Sequence, residues 1–297
     1  MHFWHLNVIS ESLVNRFSIV IPAFNVENSI QRAFNSVIRQ DYLDFELIVV
    51  NDGSTDGTHA ILSELEKANS FILINQQNQG VSAARNSGAT QAKSDWLIFL
   101  DSDDELIPSA LAQFNKAIES DSKRDFWQAG IRRISGQNLQ ELIPIQDEYH
   151  SKIPGTFCIS KGLFEQVGGY DEQMKFSENT ELFHRVGLKG VIGGVISEIT
   201  LIYYDSSTGG SKNLQNMIDS LLIILDKHET TLSDHVKYLY HQIIGVNYMR
   251  FRNYSLARKH LLKAISYKPL KAKTLIRLFI SMVPPLAKKL YPQEVKL

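Results

Sequence analysis

The first hundred residues alternate between short apolar runs and longer stretches in which apolar residues recur every three or four positions. The runs are "FSIVIP", "ELIVVN", "FILIN" and "WLIFL". Helical patterns lie between them at about Glu27 to Gln40, about Thr55 to Lys67 and near Val81 to Ala92. Such alternation predicts parallel strands joined by crossover helices, with both faces of the sheet covered. The binding crevice of an open sheet of this kind lies beyond the carboxyl ends of its strands. The polar residues there are "AFN", "NDGSTDG", "QQNQG" and "DSDDE", in strand order.

After Asp121 the pattern loosens into an α+β region. "DFWQAGIRRI" and "GTFCIS" read as strands, "ENTELFHRV" as a helix and "GVIGGVISEITLIYY" as a pair of strands. From Leu214 every signal is helical. Gly245, Tyr248, Tyr254, Ala257, Leu261, Ala264 and Pro269 follow the spacing of one tetratricopeptide unit. Stacking needs about three such units, so one helical hairpin packed on the main domain is expected. The expected divisions are a lead of residues 1–16, a main domain over 17–211 and a helical region over 212–297.

Composition narrows the class. At 297 residues, 43% of them apolar and 21% charged, the chain can bury a continuous core, and wholesale disorder is excluded. The net charge of -1 hides an asymmetry: residues 250–297 carry twelve Lys or Arg against one acidic residue, Glu294. Cys158 is the single cysteine, so no intrachain disulfide forms, and a buried thiol is expected. The first residues lack a basic signal-peptide start, and no window reaches the ~18 uninterrupted apolar residues of a spanning helix. The expectation is a cytoplasmic protein, peripheral on the inner face of the plasma membrane, with nucleic acid not among its partners. Its basic tail, with apolar Leu275, Ile276, Leu278, Phe279, Ile280, Met282 and Val283 among Lys271, Lys273, Arg277, Lys288 and Lys289, suits an anionic membrane surface; the plainer alternative is a solvated hairpin.

Three loops carry candidate chemistry. In "LDSDDEL", Asp101, Asp103 and Asp104 follow an apolar strand, and alternate carboxylates can hold a divalent cation together with phosphate oxygens; a solvated acidic loop is the alternative. "NDGSTDG" starts like a calcium loop, but the twelfth position is Ser63 where a bidentate Glu is required. Asp52 at the strand end is instead placed to accept a hydrogen bond from a ligand amide, against the alternative of a plain turn and helix cap. In "NQGVSAARNSGA" small residues suit close helix packing on the sheet, and only Arg85 suggests more, its planar fork fitting phosphate or a base edge.

Taken together, "FSIVIPAFNVENSIQRAFNSVIRQDY", "FELIVVNDGSTDGT", "NQGVSAARNSGA", "WLIFLDSDDEL" and "FEQVGGYDEQMKFSENTEL" resemble the family 2 glycosyltransferases of GT-A fold, in the family's order and spacing, from about Phe17 to Tyr204. The resemblance implies a Rossmann-like mixed sheet flanked by helices, here with an all-helical C-terminal extension. It implies inverting transfer of a sugar from a nucleoside diphosphate sugar, UDP favoured, with Mg2+ or Mn2+, to a saccharide or lipid-linked acceptor in surface glycan synthesis. Pro22, Ala23, Asn25 and Glu27 then line the nucleotide cleft, Asp52 reads the base and Arg85 helps to hold the nucleotide. Asp101, Ser102 and Asp103 match the family's DxD element, with Asp101 on the ribose side and Asp103 on the metal.

The chain departs from the family at the general base. Where relatives place an aspartate in "SENTEL", this chain has Asn179, which can orient a hydroxyl but cannot accept its proton. Three readings stand: Glu178 or Glu181 is the base; Asn179 positions the acceptor while another group takes the proton; or the protein binds the nucleotide sugar without turnover, as a sensor or assembly subunit. Glu178, the other half of the family's acidic pair, is favoured. The family's QxxRW signature is missing, which implies a single transfer per encounter. "DSSTGGS" replaces the histidine some relatives place near the metal, leaving Asp103, with Asp205 as a second candidate ligand, and making this loop a candidate lid. A nucleotidyltransferase is the weaker alternative, since "PAFNVENS" lacks a glycine-rich, Lys- or Arg-bearing loop.

Overall fold

The computed structural model describes residues 15–146, 148, 150–205 and 213–293. The lead before Asn15 and the candidate lid over 206–211 lie outside them. The chain divides into two compact units. One runs through Tyr170 and resumes over Phe183–Asp205; the other holds Asp171–Leu182 and the chain after Asp205.

The first unit opens with the expected alternation: β1 (Phe17–Ala23), α1 (Ile30–Ile38), β2 (Phe45–Asp52), α2 (Thr58–Ala68), β3 (Ile72–Gln76), α3 (Val81–Gln91) and β4 (Trp96–Phe99). It continues with β5 (Glu105–Leu106), α4 (Ala110–Ser120), β6 (Phe126–Ser135), β7 (Asn138–Leu142), β8 (Phe157–Ser160), α5 (Lys161–Gln166) and β9 (Gly194–Tyr204). The sheet order is β3-β2-β1-β4-β8-β6-β9-β5, with β7 paired to β6. The first four strands are parallel, β8 is antiparallel to both β4 and β6, and β9 is parallel to β6. β1 therefore has β2 on one side and β4 on the other, and the carboxyl ends of β1 and β4 flank the topological switch point.

Burial explains these elements. Every residue of β1 is buried, as a strand covered on both faces requires. α1 buries Ile30, Ala33, Phe34 and Val37, the i, i+3, i+4, i+7 stripe of a helix lying on a sheet. Phe34 meets Phe71 edge-on at 5.0 Å, and burying a side chain of that size contributes about 1.5–3 kcal/mol. α3 lies so close to the sheet that a Cβ on Gly88 would stand 2.3 Å from Val20 Cγ1, so Gly88→Ala forces the helix off β1.

Three expectations change. α1 begins at Ile30 rather than Glu27, because residues 26–29 form a turn in which Ser29 and Ile30 N–H groups donate to the Val26 carbonyl. α2 begins at Thr58 rather than Thr55, where Asp56 Oδ1 accepts from Thr58 N at 3.0 Å. The stretch expected as a strand pair forms one strand, β9. Its glycines serve close approach instead of a turn: a Cβ on Gly194 would lie 2.2 Å from the Trp127 ring.

The second unit contains α7 (Leu214–Lys227), α8 (Asp234–Arg250), α9 (Tyr254–Tyr267), α10 (Ala272–Met282) and α11 (Pro284–Leu290). Asn213, Ser233 and Asn253 each accept a backbone N–H at the start of α7, α8 and α9, which fixes where these helices begin. α8 and α9 form the expected hairpin, in which a Cβ on Gly245 would stand 2.9 Å from Leu261 Cγ. The hairpin is not followed by a free tail. Ile280 of α10 and Ala287 of α11 join Met249, Ala257 and Leu261 in one apolar cluster. A second cluster joins Met174 to Ile218, Leu221, Ile224, Leu232 and Ile244, which builds the segment Asp171–Leu182 into the helical unit. Among the described residues no helix is long and apolar enough to cross a membrane.

Candidate active site

The loop after β1 is stitched to the loop after β2. Pro22 and Ala23 are buried in β1, and Asn25 follows with φ of 52°, a left-handed conformation that asparagine tolerates. Asn25 Oδ1 accepts from Thr55 N at 2.7 Å, and its own N–H donates to Ser54 Oγ. Glu27 Oε2 accepts from Gly57 N at 2.7 Å while the Glu27 N–H donates to Asp56 Oδ2. Asn25 and Glu27, expected to line a cleft, thus hold two crevice loops in register, and Thr55 and Asp56 are their anchors.

Asp52 is buried and organises a third loop. Its Oδ1 accepts from Gln76 Nε2 at 2.8 Å and Gln79 N at 2.9 Å, and Oδ2 accepts from Gly80 N at 2.8 Å. A carboxylate has about four acceptor sites, so three protein donors leave capacity for about one more. Gly53 permits this closure: with φ of 73°, any Cβ there would stand 2.7 Å from Asn78 N.

The acidic segment after β4 is fixed by two arginines. Arg85 of α3, fully buried, bonds Asp101 Oδ1 at 2.5 Å and lies over the Tyr170 ring at 5.2 Å. Arg85, expected on the nucleotide, holds Asp101 through one guanidinium nitrogen. Sequence reasoning missed the other arginine, Arg32 of α1. It donates to the Asp103 carbonyl, lies 3.4 Å from Glu105 Oε1 and sits over the Tyr204 ring at 4.0 Å. Its only signal was a basic residue one turn into a helix that faces the acidic run. Tyr204 completes the frame, its N–H donating to Asp104 Oδ1 at 2.9 Å and its hydroxyl to Glu105 Oε1 at 2.6 Å.

The carboxylates in this frame repel one another. Burial first, and then the charge of Asp101, pushes the Asp103 carboxyl above its ordinary range. The same two causes push Asp104 up to about 9, and its Oδ2 is buried with no hydrogen-bond partner among the described residues. Ser102, between Asp101 and Asp103 in the chain, is buried. A divalent cation fits here: it would satisfy the orphaned oxygen and relieve the repulsion. Among the described residues no three His, Cys, Asp or Glu groups assemble a complete metal site. That suits a cation taking one or two carboxylates and completing its shell with phosphate oxygens. Asp205, the second candidate ligand, pairs with Arg133 through contacts of 2.9 and 3.1 Å.

The segment "SENTEL" belongs to the other unit. α6 (Glu178–Leu188) starts after Ser177, whose φ of 57° is unusual for a residue with a side chain and marks a turn held by its surroundings. Lys227 Nζ bonds Asp171 Oδ2 at 2.6 Å and the Lys175 N–H donates to Ser220 Oγ. Glu178 and Asn179 are half-buried at the first turn, whereas Glu181 is 0% exposed. His228 Nε2–H donates to Glu181 Oε1 at 2.9 Å, with Lys227 Nζ 3.8 Å away. Glu181, one of the candidate bases, thus has its carboxylate paired inside the helical unit.

The glycosyl transferase family 2 model matches residues 18–173. Glycosyltransferase GlyA of Streptococcus pneumoniae is 41% identical over 158 residues, 51% of this chain, and the match spans 22% of GlyA. The GalNAc(5)-diNAcBac-PP-undecaprenol beta-1,3-glucosyltransferase of Campylobacter jejuni is 27% identical over 292 residues, covering 91% of this chain and 94% of that protein. Among solved structures, Staphylococcus aureus TarS 1–349 in complex with UDP-GlcNAc superposes with a TM-score of 0.62 at 18% identity, over 94% of this chain and 92% of that one. A mannosyltransferase from Pyrobaculum calidifontis in complex with GDP-Man and Mn2+ gives 0.57 at 13% identity, over 94% and 88%. The loops at the carboxyl ends of β1, β2 and β4, an acidic segment held by Arg85 and Arg32, and a family model spanning more than half the sequence converge: this chain belongs to glycosyl transferase family 2 and is a glycosyltransferase.

Proposed function

We propose that the protein transfers one sugar per encounter, with inversion, from a UDP-sugar to a lipid-linked saccharide in surface glycan synthesis, working as a peripheral protein on the inner face of the plasma membrane. The observation that carries this reading is the orphaned Asp104 oxygen beside Asp103, in a segment that Arg32 holds by the Asp103 carbonyl and Arg85 by the Asp101 carboxylate. The undecaprenol-linked substrate in the name of the Campylobacter jejuni relative supports the acceptor class, and the UDP-GlcNAc complex of TarS supports the donor.

Asp103 and Asp104 would hold Mg2+ or Mn2+. Bound there, the cation would neutralise charge on the diphosphate leaving group. Asp101, held by Arg85, faces the ribose; Asp52 uses its remaining acceptor site for the base; Pro22, Ala23, Asn25 and Glu27 shape the cleft around the nucleotide. Asn179 orients the acceptor hydroxyl and Glu178 takes its proton. The acceptor oxygen forms its bond to the anomeric carbon from the face opposite the diphosphate, the bond to the diphosphate oxygen breaks with its electron pair, and the configuration inverts.

Donor hydrolysis tests this reading without knowledge of the acceptor. Purified protein with UDP-glucose or UDP-GlcNAc and Mn2+ should release UDP slowly into water, and chelator should stop it. Tight UDP-sugar binding with no release, even with acceptor added, would favour a sensor instead.

A further inference from the structure

The outward side of α10 is apolar. At about 100° per residue, Ala272, Leu275, Ile276, Phe279 and Met282 share one arc of about 120°. Leu275, Ile276, Phe279 and Met282 are 46%, 57%, 62% and 56% exposed. The opposite side buries Thr274, Ile280 and Ser281. A surface helix ordinarily turns one apolar stripe to the core and a polar face to water. α10 turns apolar residues both ways.

The surroundings are basic. Lys271 and Lys273 at the start of α10, and Lys288 and Lys289 on α11, are exposed. No acidic residue occurs between Arg250 and Gln293. A second copy of this chain seated on the arc would oppose lysines to lysines. An anionic bilayer matches both properties, accepting the apolar arc at the acyl boundary and the lysines at its headgroups.

We propose that α10 docks on an anionic lipid bilayer, lying in the headgroup layer with Leu275, Ile276, Phe279 and Met282 turned toward the acyl chains. This names the device behind the peripheral position proposed above. It does not depend on the sugar-transfer chemistry, so its failure would leave that reading standing. Removing the chain after Lys268 is a poor test, because it would strip Ile280 and Ala287 from the cluster around Met249 and Leu261. Exposed-face substitutions avoid that.

The full chain is floated with vesicles of phosphatidylcholine alone or with a third of phosphatidylglycerol, at low and high salt. Wild-type protein should float with the anionic vesicles only, more weakly in high salt. Phe279→Trp should shift its emission to the blue on those vesicles, and Phe279→Glu should bind at least about tenfold more weakly. Replacing Lys271, Lys273, Lys288 and Lys289 by Gln should cost about fivefold for each lysine engaged. The proposal is overturned by equal binding to both vesicles, by no binding, or by anionic binding that Phe279→Glu leaves intact. Sedimentation showing a dimer that Phe279→Glu dissolves, without vesicle binding, would overturn it by making the arc an interface between copies.

Discussion

Replacing His228 by Ala should destabilise the helical unit by about 2–4 kcal/mol. Glu181 is wholly buried, and His228 Nε2 is its hydrogen-bond donor at 2.9 Å. Removing one partner of such a buried pair typically costs about 3–5 kcal/mol, chiefly because a carboxylate remains in an apolar site. Lys227 Nζ at 3.8 Å takes up part of that charge, but its side chain is 47% exposed and its share is screened by water, which lowers the figure. The assay is urea unfolding read in two ways. Of the three tryptophans, Trp96 and Trp127 are described and both lie in the sheet unit, so their fluorescence follows that unit, while circular dichroism at 222 nm weights the helices. His228→Ala should move the dichroism transition to lower urea. In a Glu181→Leu background the same change should cost much less, giving a coupling of about 1.5 kcal/mol or more. A shift under about 0.5 kcal/mol, or an equal loss in both backgrounds, would refute the buried-pair reading.

Asp103→Ala should abolish UDP release with the dichroism spectrum unchanged; full turnover by this variant in excess chelator would remove the cation from the site. Glu178→Gln should lower turnover by roughly a hundredfold to ten-thousandfold at unchanged donor affinity, as loss of a general base does. Asn179→Asp, measured alongside, shows whether the family's usual base can be restored: a gain marks a weakened site, and a loss marks an asparagine tuned to its own role. The helical unit should also lose stability in acid. His241 Nδ1 and His260 Nδ1 lie 3.0 Å apart, and burial first, then nearby positive charge, lowers both to about 4. Between about 6.5 and about 4 the unfolded chain binds protons that the folded pair refuses, so stability is full above 6.5 and falls as pH drops toward 4. The urea midpoint at 222 nm should follow that course, and a midpoint flat from pH 7 to 4 would contradict it.

The sheet half of the fold was legible because both of its signals are local. Continuous buried apolar runs mark β1, β2 and β4, and the helical stripe of α1 is written in Ile30, Ala33, Phe34 and Val37. The late start of α1 is a local turn, whereas other misreadings come from contacts distant in sequence. α2 starts late because Asp56 and Gly57 are tied to Glu27, about thirty residues earlier. Gly194 reads as a turn until Trp127 is seen packed against it. The same holds for the site. Asp101 and Asp103 stood out by pattern, but Arg32, Tyr204 and Glu105 are distributed over α1, β9 and β5 and carry no shared motif. The pairing of Glu181 with His228 was likewise illegible, since 47 residues separate them and periodicity places Glu181 on the same helix face as Glu178.

Sugar transfer itself is tested most directly by proton NMR of the reaction of an α-linked UDP-sugar with an undecaprenyl diphosphate-linked oligosaccharide and Mn2+. The expected result is one UDP released per sugar transferred, a β-anomeric coupling in the product, and no product with Asp103→Ala or chelator. An α-linked product, or transfer indifferent to chelator and to Asp103→Ala, would contradict inverting chemistry at this acidic segment.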